Sequence, residues 1–500
     1  MSSRLPILAL LSVVGAGVLV TSVEGQRPTL VATPDADPAF AAPVGRTDAV
    51  TSTWYCAAGT AQDGGLADHT VVVANPTAGD VTGVLTVYAG RMAAPVSPPP
   101  TDVASTTTST TAPAAPAKVA PVDPVEQRFT VPAHDRVSFR LATLQPGPLA
   151  AALVEADTGG VVVEHTVVGP HGQDTAPCAS AASSTWHFAW GSTERNASDI
   201  LVLFNPFPSD VTVDATFSTD AGVREPLRWH GLNVPGRSVV GVDVGEDVTR
   251  RAQVAASLRV RGGRLVVERL QSFDGSDAGT EGLSVALGQP EPTARRMFAH
   301  GRVDEQVSER IVLYNPGKDS AEVDVSVRGL GVDPRSPEPF GIVVRPGQFE
   351  IVDYGSEDRV ARQVGHATVV ESSNGVPVVS EQVLTFGAEL SAGAGAMVAA
   401  PTWDFPVVDV DATRTMRLAV INPDAERSTH LSLRLEAQGT QVRLPTVDVP
   451  ASGRIEVELP ADRPDGRLGL VAEADAPVVV ERIEAEQQRD VSVTPGIPLL

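Results

Sequence analysis

The sequence predicts an all-β protein: four tandem immunoglobulin-like β-sandwich modules behind an N-terminal signal or anchor helix. Three observations lead there. The first is an internal repeat. Asn-Pro recurs at Asn75-Pro76, Asn205-Pro206, Asn315-Pro316 and Asn422-Pro423. A second proline follows at Pro132, Pro235, Pro346 and Pro450, and a glutamate closes a valine-rich run at Glu164, Glu268, Glu381 and Glu481. Trp54, Trp186, Met297 and Trp403 open the four units. Self-similarity at a nearly fixed period sets the architecture before any local motif is weighed. The second observation is composition. Of 500 residues 42% are hydrophobic but only 4% aromatic, and valine supplies much of the apolar mass. β-Branched side chains favour pleated, half-buried strands. The third is spacing: short apolar runs separated by Gly, Pro, Asn and Asp turns, the pattern of a sandwich. Units of roughly 100 residues suit single domains. A β-propeller blade, with four strands and about 40–50 residues, is too short to be the unit.

The elements follow in order. Arg4 precedes an uncharged, mostly apolar run from Leu5 to Val23, so residues 1–26 read as a signal peptide or a signal-anchor helix. Either form leaves Arg4 cytoplasmic and the rest outside. The expected location is extracytoplasmic, membrane-anchored or secreted, with membrane contact through the helix if it is uncleaved. Residues 27–51, rich in Pro, Ala and Asp, read as an extended tether.

Module 1 spans 52–180. His69–Asn75 is a strand that Pro76 ends, because proline holds the preceding residue extended. Val81–Tyr88 follows as a strand. From about 93 to 125, runs such as Thr106–Thr111 and Ala112–Pro116 cannot bury enough apolar surface to order, and predict a disordered Pro/Thr insertion. The insertion accounts for the long step from Pro76 to Pro132. Cys56 and Cys178 are the two cysteines of an exported chain and bracket the module, so a disulfide is expected between them.

Module 2 spans 181–292, with strands expected at 185–190, 200–205, 211–218, 224–229, 238–244, 253–260 and 264–272. A helical turn is expected over 246–251, and 283–287 is read as an extra strand packing back. Module 3 covers 293–398; module 4 and a short tail cover 399–500.

The exported N-terminus, Trp54-Tyr-Cys56, Asp68–Pro76 and the Val-Val-Glu-Arg closings resemble a family of uncharacterised actinobacterial envelope proteins, a domain of unknown function. Met297 for the opening Trp and Ser380-Glu-Gln382 for Val-Glu-Arg make the third unit the most divergent. The resemblance implies repeated sandwich units and an envelope location, and no activity.

The repeated polar residues carry the remaining expectations. Alternation puts Glu268 on the face of Val266 and Leu270, where a carboxylate needs partners; the opening Trp indole or a nearby backbone would supply them. Asn75, Asn205, Asn315 and Asn422 are expected to cap their own turns. Nine histidines show no metal spacing, and Gly-x-Ser-x-Gly, P-loop and Cys-x-x-Cys motifs are absent. No catalytic, cofactor-binding or metal residue is expected, and the chain reads as non-enzymatic. A hydrolase would need two carboxylates brought together by folding. Trp190 and Trp229, near strand ends, are the candidates for glycan contact. A net charge of −23 argues against nucleic acid. The expected role is an envelope scaffold or interaction protein whose partner is an envelope protein or cell-wall glycan. The alternative is a glycan-binding protein docking through module 2.

Overall fold

Burial along the valine-rich runs shows why they pair as strands. In Val211–Thr219, Val211, Val213, Ala215 and Phe217 are buried while Thr212, Asp214 and Thr216 are partly exposed. That is the period-two signature of a strand with one face on a core. The computed structural model describes residues 43–94, 122–276, 280–329, 337–387, 389–410, 414–459, 466–486 and 489–500. Among these the structure is all β, with short 3-10 turns beside the strands. The expected helix at 1–26, the first part of the tether and residues 95–121 of the insertion lie outside the described residues. Among the described residues no helix is long and apolar enough to cross a membrane.

Repeat one contains β1 (Ser52–Cys56), β2 (Asp68–Asn75), β3 (Val81–Met92), β4 (Val125–Val131), β5 (Asp135–Arg140), β6 (Leu149–Ala156), β7 (Val162–Gly169) and β8 (Gly172–Pro177). They form two four-stranded antiparallel layers, β1-β6-β3-β4 and β5-β2-β7-β8. Repeat two contains β9 (Thr185–Phe188), β10 (Ala197–Asn205), β11 (Val211–Thr219), β12 (Gly222–Arg224), β13 (His230–Val234), β14 (Ser238–Asp243), β15 (Val254–Arg261), β16 (Val266–Asp274) and β17 (Glu281–Leu287). Its layers are β9-β15-β11-β13, with β12 also on β11, and β14-β10-β16-β17. Repeat three keeps this order. In repeat four one 21-residue strand, Gly466–Glu486, serves both layers.

The pairing corrects the expected immunoglobulin order, in which the first two strands share a sheet. Here β1 pairs with β6, and β2 lies in the opposite layer. The run 224–229, read as a strand, instead holds a 3-10 turn at Leu227–Trp229 between β12 and β13. The helical turn expected at 246–251 is a 3-10 turn slightly earlier, at Val244–Glu246, with the Asp243 side chain accepting from Gly245 N–H.

Residues 41–500 form one compact unit. The repeats share cores in a closed sequence. Tyr88 and Ala151 of repeat one pack with Phe204 and Val239 of repeat two. Trp190 and Phe273 of repeat two pack with Tyr314 and Leu390 of repeat three. Met297 and Val369 of repeat three join the core of repeat four, and Ile497 and Leu499 of repeat four join that of repeat one. β14 also extends the sheet of repeat one by pairing parallel to β3, Val239 opposite Gly90. The last part of the expected tether is docked: Gly45 bridges Leu499 in parallel, and Thr47 N–H donates to Leu500 O at 2.9 Å.

The strand that pairs with the Glu-bearing strand in each repeat, β8, β17, Glu389–Gly393 or Arg489–Pro495, packs against its counterparts in both neighbours, so the four surround a common axis. Gly282, at φ +148°, permits the close approach there. A Cβ at that position would sit 2.7 Å from Leu390 Cβ.

Candidate functional site

The Asn-Pro corners build each repeat. Asn205 is fully buried; its Oδ1 accepts from Phe207 N–H at 3.2 Å, and its Nδ2 donates to the carbonyls of Ser209, Val234 and Pro235 at 2.9–3.2 Å. Asn75, Asn315 and Asn422 make the same pattern: acceptor to the residue two ahead, donor across to the run before the second proline. The side chain thus pins one turn to another.

The four glutamates join the repeats. Each carboxylate is buried and accepts a backbone N–H from the later part of the opening strand of the preceding repeat, or from the residues just after it. Glu268 takes Ala57 and Ala58 N–H at 3.1 and 2.6 Å. Glu381 takes Ala189 N–H at 3.1 Å, and Glu481 takes His300 N–H at 2.8 Å. Glu164 closes the sequence by taking Val407 N–H of repeat four at 2.6 Å. Of the two donors the sequence suggests, backbone N–H groups bind the carboxylates, while the indole of the opening Trp serves its own repeat. Trp54, Trp186 and Trp403 donate to the carbonyls of Val161, Leu265 and Val478.

The residue after each glutamate faces the next repeat, because neighbouring strand residues point to opposite faces. Its identity sets the electrostatics of the junction. Arg269 binds Glu381 at 3.0 Å, stacks on Phe188 and Trp190, and donates to Trp190 O. Arg482 binds Glu164 at 3.0 Å and donates to Val407 O. In the other two junctions the position is His165 or Gln382. Gln382 donates to His300 O at 2.8 Å and Glu309 Oε1 at 2.6 Å. Burial without an ion-paired arginine pushes both Glu268 and Glu481 up to about 8.

The first of these neutral junctions holds a histidine relay. Ala150 O can only accept, so His69 Nδ1 donates to it at 2.9 Å, and His69 Nε2 accepts from His165 Nδ1 at 2.9 Å. The bare His165 Nε2 then faces Glu268 Oε2, the acceptor of the Ala57 and Ala58 N–H groups, at 3.4 Å. Burial pulls His69 down to about 4 and His165 well below its ordinary value.

A second set of contacts encircles the axis. Ser492 Oγ donates to Asp174 at 2.7 Å, and Asp174 accepts Val285 N–H at 2.9 Å. Ser284 Oγ bonds both Ala392 O and Ala392 N–H at 3.2 Å. Ser391 Oγ does the same with Val493, at 3.3 and 3.0 Å. Burial raises Asp174 to about 6. Beyond this girdle lies an axial cavity of about 90 Å³ that opens to solvent, walled by segments of β8, β17, Glu389–Gly393 and Arg489–Pro495 and by Arg296 and Trp403.

The disulfide links Cys56 and Cys178. Trp190 and Trp229 are both buried, Trp190 against Phe273 and Arg269 and Trp229 against Phe217 with its indole on Asp247. Neither ring has a free face for a sugar, which corrects their assignment as glycan contacts. Among the described residues no cluster of three or more His, Cys, Asp or Glu is arranged to hold a metal ion. The girdle and the relay escaped sequence reasoning, since Leu283-Ser284-Val285, Leu390-Ser391-Ala392 and Val491-Ser492-Val493 share only a short apolar-Ser-apolar pattern at uneven distances from their glutamates. The residue after each glutamate was visible in the Val-Val-Glu-Arg closings, although its partner was not.

Residues 159–327 match a family of unknown function, DUF5719. The match runs from the start of β7 through all of repeat two and into repeat three. No curated protein matches the sequence.

Proposed function

We propose that the chain is a non-enzymatic, extracytoplasmic scaffold or interaction protein of the cell envelope, of the kind implied by its resemblance to actinobacterial envelope proteins. Its repeats are immunoglobulin-like in size and layering but not in strand order. The observation that supports this reading is where the repeated polar side chains are spent. All four Asn and all four Glu serve turns and repeat junctions. A repeat whose recurring chemistry is internal suits a rigid framework that presents its outer surface to partners. The Cys56–Cys178 bond suits an oxidising compartment.

The test has two arms. A C-terminal alkaline phosphatase fusion should be active, and the purified protein should sediment with isolated envelope. An active cytoplasmic reporter, or no retention by envelope, would end the reading. Retention by purified cell-wall polysaccharide alone would favour the glycan-binding alternative, through residues other than Trp190 and Trp229.

A further inference from the structure

The wall of the axial cavity has one cation, Arg296, and its one carboxylate, Asp174, is not paired with it. Arg296 is 6% exposed. Its Nε donates to Thr293 Oγ1 at 3.2 Å and its Nη1 to Gly395 O at 3.0 Å. A guanidinium carries five N–H donors, and these bonds use two. No carboxylate among the described residues lies within ion-pair distance of it, whereas Arg269 and Arg482, equally buried, each have one. A buried, unpaired cation is costly, and an anion from outside would relieve it. The walls around it are apolar: Val285, Leu287, Ala396, Met397, Val493 and Pro498. Mostly apolar walls with a few placed polar groups are the makeup of small-molecule sites.

We propose that the cavity binds an aliphatic monocarboxylate, with the carboxylate on Arg296 and the chain along the axis. The charge count selects the class. Arg296 is the single basic residue of the wall, and Asp174 is acidic. A second negative charge on the ligand would meet that carboxylate instead of a cation. A neutral chain would leave Arg296 unpaired.

Decanoate, decanol and decanedioate titrated calorimetrically into the full chain test this, with 10-bromodecanoate as a quencher of Trp403 in the cavity wall. Decanoate should saturate one site and bind at least about tenfold more tightly than decanol, the factor expected of a buried charge-assisted bond. Decanedioate should bind no better than decanol. Arg296→Met should lower decanoate to the decanol level and leave decanol unchanged. Ala394→Leu, at a half-exposed wall position, should weaken both. The decanoate-to-decanol ratio in the unaltered chain stands even if Arg296→Met fails to fold. Absence of saturable decanoate binding, equal affinity for decanol, or Arg296→Met binding decanoate as before would overturn the assignment.

Discussion

The junction between repeats two and three and the junction between repeats one and two use the same carboxylate in opposite states. In the first, Glu381 meets Arg269 and the pair is ionic. In the second, Glu268 meets His165, and burial favours the neutral acid. The backbone donors are equivalent, and the difference lies in the residue preceding in the ring: His165, Arg269, Gln382 and Arg482 alternate neutral and cationic around the four junctions. A repeated contact can therefore keep its geometry while its electrostatics are rewritten one position away.

The largest expected effect breaks an ionic junction. Glu381→Gln leaves Arg269 buried without its counter-ion and should cost ~3–5 kcal/mol in urea denaturation at pH 7. A loss under ~1 kcal/mol would show that the arginine finds water. Replacing both partners together, Arg269→Met with Glu381→Gln, should recover most of that loss, since the pair rather than either member balances the burial.

The neutral junction of repeats one and two has a different support. Cys56 immediately precedes Ala57 and Ala58, the donors to Glu268, so the disulfide fixes the strand end that feeds the carboxyl. Cys56→Ser with Cys178→Ser should cost ~2–4 kcal/mol. Because the cores are continuous, the melt by calorimetry should remain a single transition shifted as a whole. A separate early transition for repeat one would show that the repeats unfold independently.

The Asn corners should ignore the difference between junctions. Asn205→Ala removes a buried side chain with several bonds and should cost ~2 kcal/mol, with Asn75→Ala and Asn315→Ala matching it closely. Unequal losses would mean that the corners also sense the junction beside them.

The smallest effect is the sharpest for charge state. Glu481 titrates near 8 when folded against an ordinary 4.5, so the folded chain holds the proton more tightly. Its contribution is complete below about pH 4.5 and is lost as pH rises through 8. Glu268 behaves likewise, while His69, at about 4 against 6.5, contributes above pH 6.5 and loses that contribution as pH falls toward 4. Between pH 4.5 and 6.5 the gain from His69 offsets only part of the loss from the two glutamates, and above pH 6.5 stability should fall by about 1.4 kcal/mol per pH unit for each neutral glutamate, until about 8. Glu268→Gln should remove one such slope at a cost under ~1 kcal/mol at pH 7. An unchanged pH profile in that variant would place the titration elsewhere.

Much of this was legible in the sequence. Asn-Pro followed by a valine run and a second proline gave the corners, since an Asn side chain in a turn has few partners but backbone. Alternation placed Glu268 on a buried face. It did not say what lay against that face, because strand periodicity encodes direction and carries no information about the neighbouring repeat. For the same reason Trp190 and Trp229, at strand ends, looked available, but Arg269 covers Trp190 and Trp229 packs on Phe217. The order of strands within a layer was likewise hidden: β1 pairing with β6 rather than β2 leaves the burial pattern of β1 unchanged.

The bridge between Gly45 and Leu499, with Glu164 reaching Val407, joins the first repeat to the last. An open solenoid can gain or lose a copy at its end because its terminal repeats are merely caps. A closed series has no end at which to grow. A fifth copy would demand a new rotation at every junction at once, and deletion of one would set Arg269 or Arg482 opposite the wrong partner. A chain with three or five copies should therefore fail to close.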